Sequence, residues 1–285
     1  MDNMQKIPVF FTFDANYLLA AKVAIHSMMK HASRQYWYEL YVFHTTLSPK
    51  AQQSLRNSLK EFTHTELHFI DVTQYNEKIK NFGTKAHYSK EIFYKLIATD
   101  VLPQYDRIIC SDVDVVFTGD FSPVFFMFPN EKFYYAGVGP VENSRMPYYR
   151  KDFSMTEMEI LEHEIAAGFL LINLKELRND HKQEEIINFY VNNYPRLRLP
   201  EQDCIILTCW PYIKYLPIDY SLPISFYRLN MNQRDFYQGN TEFAGDKATA
   251  LAKFNKGLAH PVQIHYAGFD KPWNCFRLTR RQDWI

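Results

Sequence analysis

An α/β fold, with one mostly parallel central sheet flanked by helices, is predicted by three observations on this chain. Strand-like runs of β-branched and aromatic residues alternate with segments whose apolar residues recur at helical spacing. Ser48-Pro49 places an N-cap residue and a first-turn proline ahead of one such segment. At 285 residues the chain is long enough to bury a large core as one principal domain. Alternation of this kind joins parallel strands through crossover helices. Ligands in such sheets sit beyond the carboxyl ends of the strands.

The elements follow in order. Residues 7–13 form an apolar run ending at Asp14, and helical spacing extends over 17–30. Residues 40–44 read as a strand and 49–62 as the helix behind Ser48; 67–72 is a third strand. Ser89 can cap a helix to about residue 101, and strand 107–110 delivers Ser111-Asp112-Val113-Asp114 at its end. Further strands are predicted at 134–138, 168–174 and 262–266, and helices over 183–193 and from Glu201. Residues 1–275 are expected to form one catalytic domain, with 140–165 a mobile or acceptor-side insertion and 276–285 a basic, aromatic tail that can continue in the natural protein.

Composition excludes several classes of partner. The 32 basic and 32 acidic residues cancel, so no overall positive field draws the molecule to nucleic acid. An anionic ligand therefore needs a local site. Cys110, Cys204, Cys209 and Cys275 have no disulfide-framework or zinc-knuckle spacing, which fits a reducing compartment. Residues 1–8 lack an apolar signal core, and no window of about 18 apolar residues occurs. A cytoplasmic location is expected, with at most peripheral contact at the inner face of a membrane. Aromatic residues make up 16% of the chain, suited either to a dense core or to surfaces that stack sugars.

Asp112 and Asp114 flank one residue at the end of an apolar strand, so both carboxylates can turn into the crevice while Val113 faces away. Oxygen ligands so spaced suit a hard divalent cation such as Mn²⁺ or Mg²⁺, which keeps coordination sites for phosphates. A D-x-D triplet is also found in solvated turns. Residues 112–116 fit as well the D-x-D-x-[TV] signature that opens haloacid-dehalogenase-type phosphatases, with a nucleophilic first aspartate. That signature belongs on a first strand, whereas three strand–helix units precede it here.

Taken together, six segments resemble glycosyltransferase family 8, the retaining enzymes that include bacterial lipopolysaccharide galactosyl- and glucosyltransferases and glycogenin. These are Thr12-Phe13-Asp14-Ala15-Asn16-Tyr17, His87-Tyr88-Ser89 with Phe93-Tyr94-Lys95-Leu96, and the Asp112-Val113-Asp114 triplet. Ala166-Ala167-Gly168-Phe169-Leu170-Leu171-Ile172-Asn173, Pro200-Glu201-Gln202-Asp203 and His265-Tyr266-Ala267-Gly268-Phe269-Asp270-Lys271-Pro272-Trp273 complete the set. Three positions depart from the family pattern: Lys95 stands for an arginine, Ala166 for an asparagine and Glu201 for an aspartate.

The resemblance implies a single GT-A-type, Rossmann-like domain and a UDP-sugar donor, with galactose ahead of glucose. It implies Asp112, Asp114 and His265 as metal ligands, and Gln202, Lys95 and Glu201 at the reacting sugar. Thr12, Phe13, Asp14, Asn16, Tyr17, Tyr88, Val113, Gly268 and Lys271 would hold the nucleotide. Lys95, Asp112, Ala167, Gly168, Glu201 and Gln202 would line the sugar. The acceptor would be a glycan, lipid-linked or glycoprotein hydroxyl. A UDP-sugar-binding module without turnover is the alternative within the same site.

Overall fold

The computed structural model describes residues 4–80, 89–142, 146–228, 236, 237, 239, 241–268 and 271–273. Ten strands are seen among them: β1 (Lys6–Thr12), β2 (Trp37–His44), β3 (Thr65–Asp71), β4 (Arg107–Ser111), β5 (Val115–Phe117), β6 (Tyr135–Val138), β7 (Phe169–Asn173), β8 (Ile213–Leu216), β9 (Leu222–Pro223) and β10 (Gln263–His265). Seven of them form one sheet in the order β3-β2-β1-β4-β7-β6-β8, and β5-β10-β9 form a small second sheet. In the large sheet every pairing is parallel except the two made by β7. This is the mostly parallel α/β architecture that the sequence predicts.

Strand residues alternate between two cores. Val9, Phe11, Val42, Ile109 and Leu171 point to one face, where they meet Ala24, Ile25 and Met28 of helix Leu18–His31. Phe10, Phe43, Ile108, Cys110 and Ile172 point to the other, against Ile186 and Tyr190 of helix Lys182–Asn193 and Ile205 of helix Pro200–Cys209. Both faces are dry, so the strands read as continuous apolar runs. No helix among the described residues is long and apolar enough to cross a membrane.

Several element boundaries differ from expectation for identifiable reasons. The helix behind Ser48 is Pro49–Ser58 and stops short of residue 62, because the chain must turn into β3, which pairs with Tyr38 from Thr65 onward. Segment 89–101 is a 3₁₀ turn over Lys90–Ile97, and α-helix only over Ala98–Val101. Glu91 and residues 93–97 are all buried there, so packing on every side overrides helical propensity. Ser89 stands at its start without a side-chain capping bond.

The stretch expected as an insertion, 140–165, includes a helical turn, Met146–Tyr149. Helix Met155–Leu161 follows, opened by a reciprocal capping box between Ser154 and Glu157, a pattern visible in the sequence. Tyr149, Phe153, Leu161 and Ile165 of this region are buried in the second core. Helix Lys247–Ala259, capped by Asp246, and strands β8 and β9 have no counterpart in the sequence reading. Residues 274–285 lie outside the described residues.

The start of helix Pro200–Cys209 is held by a buried carboxylate. Asp203 accepts from the main-chain N–H groups of Arg198 at 2.6 Å and Leu199 at 3.0 Å, and from the Tyr149 hydroxyl at 2.9 Å. Burial pushes its pKa up to about 7, although those donors pull the other way. Asp203→Ala strands three buried donors and is expected to destabilise the fold by about 3 kcal/mol, read as a lower urea midpoint at unchanged slope.

Candidate functional site

A cleft of about 220 Å³ opens beyond the carboxyl ends of β1 and β4. Its centre is the chain crossing between the two sheets. The Asp112 N–H donates to the Gly168 carbonyl at 2.9 Å and extends the β4–β7 ladder by one step. Two residues later the Asp114 carbonyl accepts from the Tyr266 N–H at 2.9 Å and extends the β5–β10 ladder. Between them Val113 is buried in the first core and lines the cleft. Both carboxylates therefore emerge on one side, pinned by their own backbones.

Strand β10 brings His265 to the pair. Its Nε2 lies 3.3 Å from Asp114 Oδ1 and 3.7 Å from Asp112 Oδ2. The three side chains offer ligand atoms within 4.8 Å of one another. Adjacent donors around an octahedral cation with arms of about 2.1 Å stand about 3 Å apart, close to the 3.3 and 3.7 Å between His265 and the two carboxylates. Two carboxylates with one imidazole suit Mn²⁺ or Mg²⁺ better than a thiophilic metal. Gly168 gives the ligands room: a Cβ there would stand 2.5 Å from His265 Cε1 and 3.4 Å from Asp112 Oδ2. Behind β10, Gln263 donates to Ser111 Oγ at 3.1 Å and ties the second sheet to β4.

Two ammonium groups flank the carboxylates. Lys95, fully buried, lies 2.6 Å from Asp112 Oδ1 and 3.2 Å from Glu201 Oε1, and donates to the Ala167 carbonyl at 3.0 Å. Burial alone would pull its pKa down; Asp112 and Glu201 reverse this and hold it above the ordinary lysine value. Lys271 lies 2.5 Å from Asp114 Oδ2 and donates to the Tyr266 carbonyl at 2.8 Å. Burial would raise the pKa of Asp114, but His265 and Lys271 hold it below the usual carboxylate range. Gly268, at φ +94°, occupies a left-handed conformation that leaves open space at its α-carbon.

Glu201 and Gln202 reach the cleft from the first turn of helix Pro200–Cys209. One Glu201 oxygen meets Lys95; the other, Oε2, is buried without a hydrogen-bond partner among the described residues. Gln202 accepts from the Ala167 N–H at 3.2 Å. At the other end, Thr12, Phe13 and Tyr17 line the cleft, with Tyr17 edge-on to Trp273 at 5.6 Å. Burial, then Asp114, Asp14 and Asp112, raise the Tyr17 hydroxyl above its ordinary pKa.

Asp14 and Asn16 are not among the lining residues. Asp14 accepts from the main chain of Asn16 and Tyr17 and from the Asn16 amide, so it caps the turn at Ala15–Tyr17. Tyr88 lies outside the described residues. Sequence reasoning did not find Glu91, a buried acid that lines the cleft and whose pKa burial raises, or Glu164, which accepts from Gln202 at 2.9 Å. Neither belongs to a motif; only the folded chain brings them here.

The Lys95 interactions make a stability prediction. Lys95→Met leaves Asp112 and Glu201 without their buried counter-charge and is expected to cost about 3 kcal/mol. Adding Glu201→Gln should recover part of that loss in thermal denaturation, whereas strict additivity of the two changes would show that the ion pair is immaterial.

Comparisons with known proteins agree with this geometry. The model of the family described as Glycosyl transferase family 8 matches residues 8–276. The lipopolysaccharide 1,2-glucosyltransferase of Escherichia coli is 22% identical over 283 residues, 96% of this chain and 75% of that protein. Among solved structures, the bifunctional glycosyltransferase WbbM aligns at a TM-score of 0.75 and 22% identity, covering 98% of this chain but only 49% of WbbM. The galactosyltransferase LgtC, solved with donor and acceptor sugar analogues, aligns at 0.69 and 17% identity over 97% of this chain and 94% of its own. At these identities the structural likenesses show the fold alone, a GT-A-type fold. Together with the position of Asp112 just after the fourth strand, the family match sets the phosphatase reading aside. With nearly its whole length matched by that model, the chain belongs to glycosyl transferase family 8 and is a glycosyltransferase.

Proposed function

We propose that this enzyme transfers a hexose from a UDP-sugar to a hydroxyl of a glycan, lipid-linked or protein-linked acceptor, with retention of the α configuration and with Mn²⁺ or Mg²⁺ held by Asp112, Asp114 and His265. The observation that carries the reading is the cluster of those three ligands at the floor of the cleft, between two buried ammonium groups. The relatives' names point to two hexoses, glucose for the Escherichia coli protein and galactose for LgtC. Galactose is the favoured donor here and glucose the next, and the reaction is placed in the cytoplasm, with at most peripheral contact at the inner face of a membrane.

The chemistry follows from the charges. The bond between the anomeric carbon and the β-phosphate oxygen breaks, the acceptor oxygen bonds to that carbon on the same face, and the acceptor proton passes to the departing phosphate. The ion, when bound, supplies positive charge against the diphosphate as it leaves. Lys271, beside Asp114, adds a second positive charge at that end and can turn from the carboxylate to a phosphate oxygen. Glu201 Oε2, without a hydrogen-bond partner among the described residues, is an acceptor for a sugar hydroxyl, and the Lys95 ammonium lies against both Glu201 and Asp112. Gln202 is the side chain proposed to face the anomeric carbon. Being a poor nucleophile, it favours front-face attack through an oxocarbenium-like state over a covalent glycosyl-enzyme. Tyr17 and Phe13 offer aromatic faces to the uracil, and Gly268 backbone space to the phosphates.

Incubation with UDP-galactose, UDP-glucose and Mn²⁺ should release UDP, and EDTA should abolish it; a protein that binds UDP-sugar yet releases no UDP would be a binding module instead. Asp114→Asn is expected to lower kcat/KM at least about a hundredfold. In Gly168→Ala the added methyl displaces His265, and Mn²⁺ affinity should weaken about tenfold by electron paramagnetic resonance of the free ion, the loss expected for a disturbed ligand. Unchanged affinity in that variant would remove His265 from the ligand set.

A further inference from the structure

Gln202 has two polar neighbours of opposite kind. The Ala167 N–H donates to Gln202 Oε1 at 3.2 Å, and Gln202 Nε2 donates to Glu164 Oε2 at 2.9 Å. A main-chain N–H can only donate and a carboxylate accepts, so the pair decides which end of the amide is oxygen and which is nitrogen. Rotating the amide by 180° would set its carbonyl against the carboxylate and its NH₂ against the N–H, two repulsive contacts in a half-buried place.

Both neighbours are themselves held. The Glu164 N–H donates to the Leu161 carbonyl at 3.2 Å, closing the turn after helix Met155–Leu161, and the Ala166 N–H donates to the Val138 carbonyl of β6 at 2.8 Å. On the other side of the Ala167 peptide, Lys95 donates to its carbonyl at 3.0 Å. Helix, strand and ion pair thus set the two atoms that grip the amide.

We propose that Glu164 is a positioning residue for the transfer reaction: by accepting from Gln202 Nε2 it keeps Gln202 Oε1 at the Ala167–Gly168 floor of the cleft, so that an oxygen lone pair, not an N–H, faces the anomeric carbon as positive charge grows there. This rests on the UDP-hexose reading of the site. An N–H in that place would oppose the developing charge and an oxygen stabilises it, so the orientation matters in the transition state more than in donor binding. The Glu164 carboxylate behind the amide also polarises it in the favourable sense, with the carbonyl oxygen more negative.

Glu164→Gln keeps the size of the side chain and removes the strict acceptor, because its own amide can face Gln202 either way. With UDP-galactose or UDP-glucose and Mn²⁺, its kcat for UDP release should fall about tenfold or more. The donor KM, and the Kd for UDP with Mn²⁺ by calorimetry, should stay within about twofold. Glu164→Asp should recover part of the lost kcat. In a Gln202→Ala background, Glu164→Gln should have no further effect, since the two act as one unit. Wild-type kcat in Glu164→Gln, a loss that adds fully to that of Gln202→Ala, or a parallel loss of UDP affinity and melting temperature would each overturn the positioning role. Wild-type protein that releases no UDP from either donor would overturn the donor reading, and this role with it; an active wild type beside an unaffected Glu164→Gln would overturn this role alone.

Discussion

The crossing of the chain from the large sheet to the small one, within Asp112-Val113-Asp114, is the constraint on which the rest of the site depends. Asp112 still belongs to the β4–β7 ladder and Asp114 already belongs to the β5–β10 ladder. With its buried Val113 between them, the triplet has no freedom to fold its carboxylates away. Each ladder also delivers a partner: β7 begins beside Gly168, whose missing side chain makes space, and β10 ends at His265, which fills it. Gln263, two residues before His265 on β10, ties the small sheet back to Ser111. The geometry at the acidic pair is thus set by two sheets at once.

Opposite charges are set against one another around that crossing. Asp112, Asp114 and Glu201 face Lys95 and Lys271, three carboxylates against two ammonium groups. Taking so many charges from water is costly unless each is paired. Lys95 answers this for two carboxylates at once and also holds the Ala167 carbonyl. Lys271, by contrast, pairs with Asp114 alone among the described residues and donates to the Tyr266 carbonyl.

One turn of helix carries three different duties. About 100° separates successive side chains, so Glu201, Gln202 and Asp203 leave helix Pro200–Cys209 in three directions. Glu201 meets Lys95, Gln202 meets Ala167 and Glu164, and Asp203 turns back to hold the main chain before the helix. A string of first-turn acids, favourable at a helix N-terminus whatever else they do, conceals this division in the sequence. Tyr149 and Leu161 belong to the stretch that the sequence marks as an insertion; both are buried in the second core, and the backbone between Leu161 and Ala167 sets where Glu164 stands.

Sequence alone determined the parts that depend on local pattern and residue type. Apolar runs of period suited to buried strands placed β1 to β4, and six ordered motifs placed the family, the acidic pair and His265. Asp14 was ambiguous there, and its observed bonds are those of a cap. Only the tertiary structure decided what depends on chain segments far apart: that Lys95 is buried between Asp112 and Glu201, that 90–97 winds as a 3₁₀ turn because every side of it is packed, and that Glu164 grips Gln202. The physical reason is that local pattern reports which face of an element is apolar, whereas burial of a charge and the partner of an amide are settled by whatever the rest of the chain brings against that face.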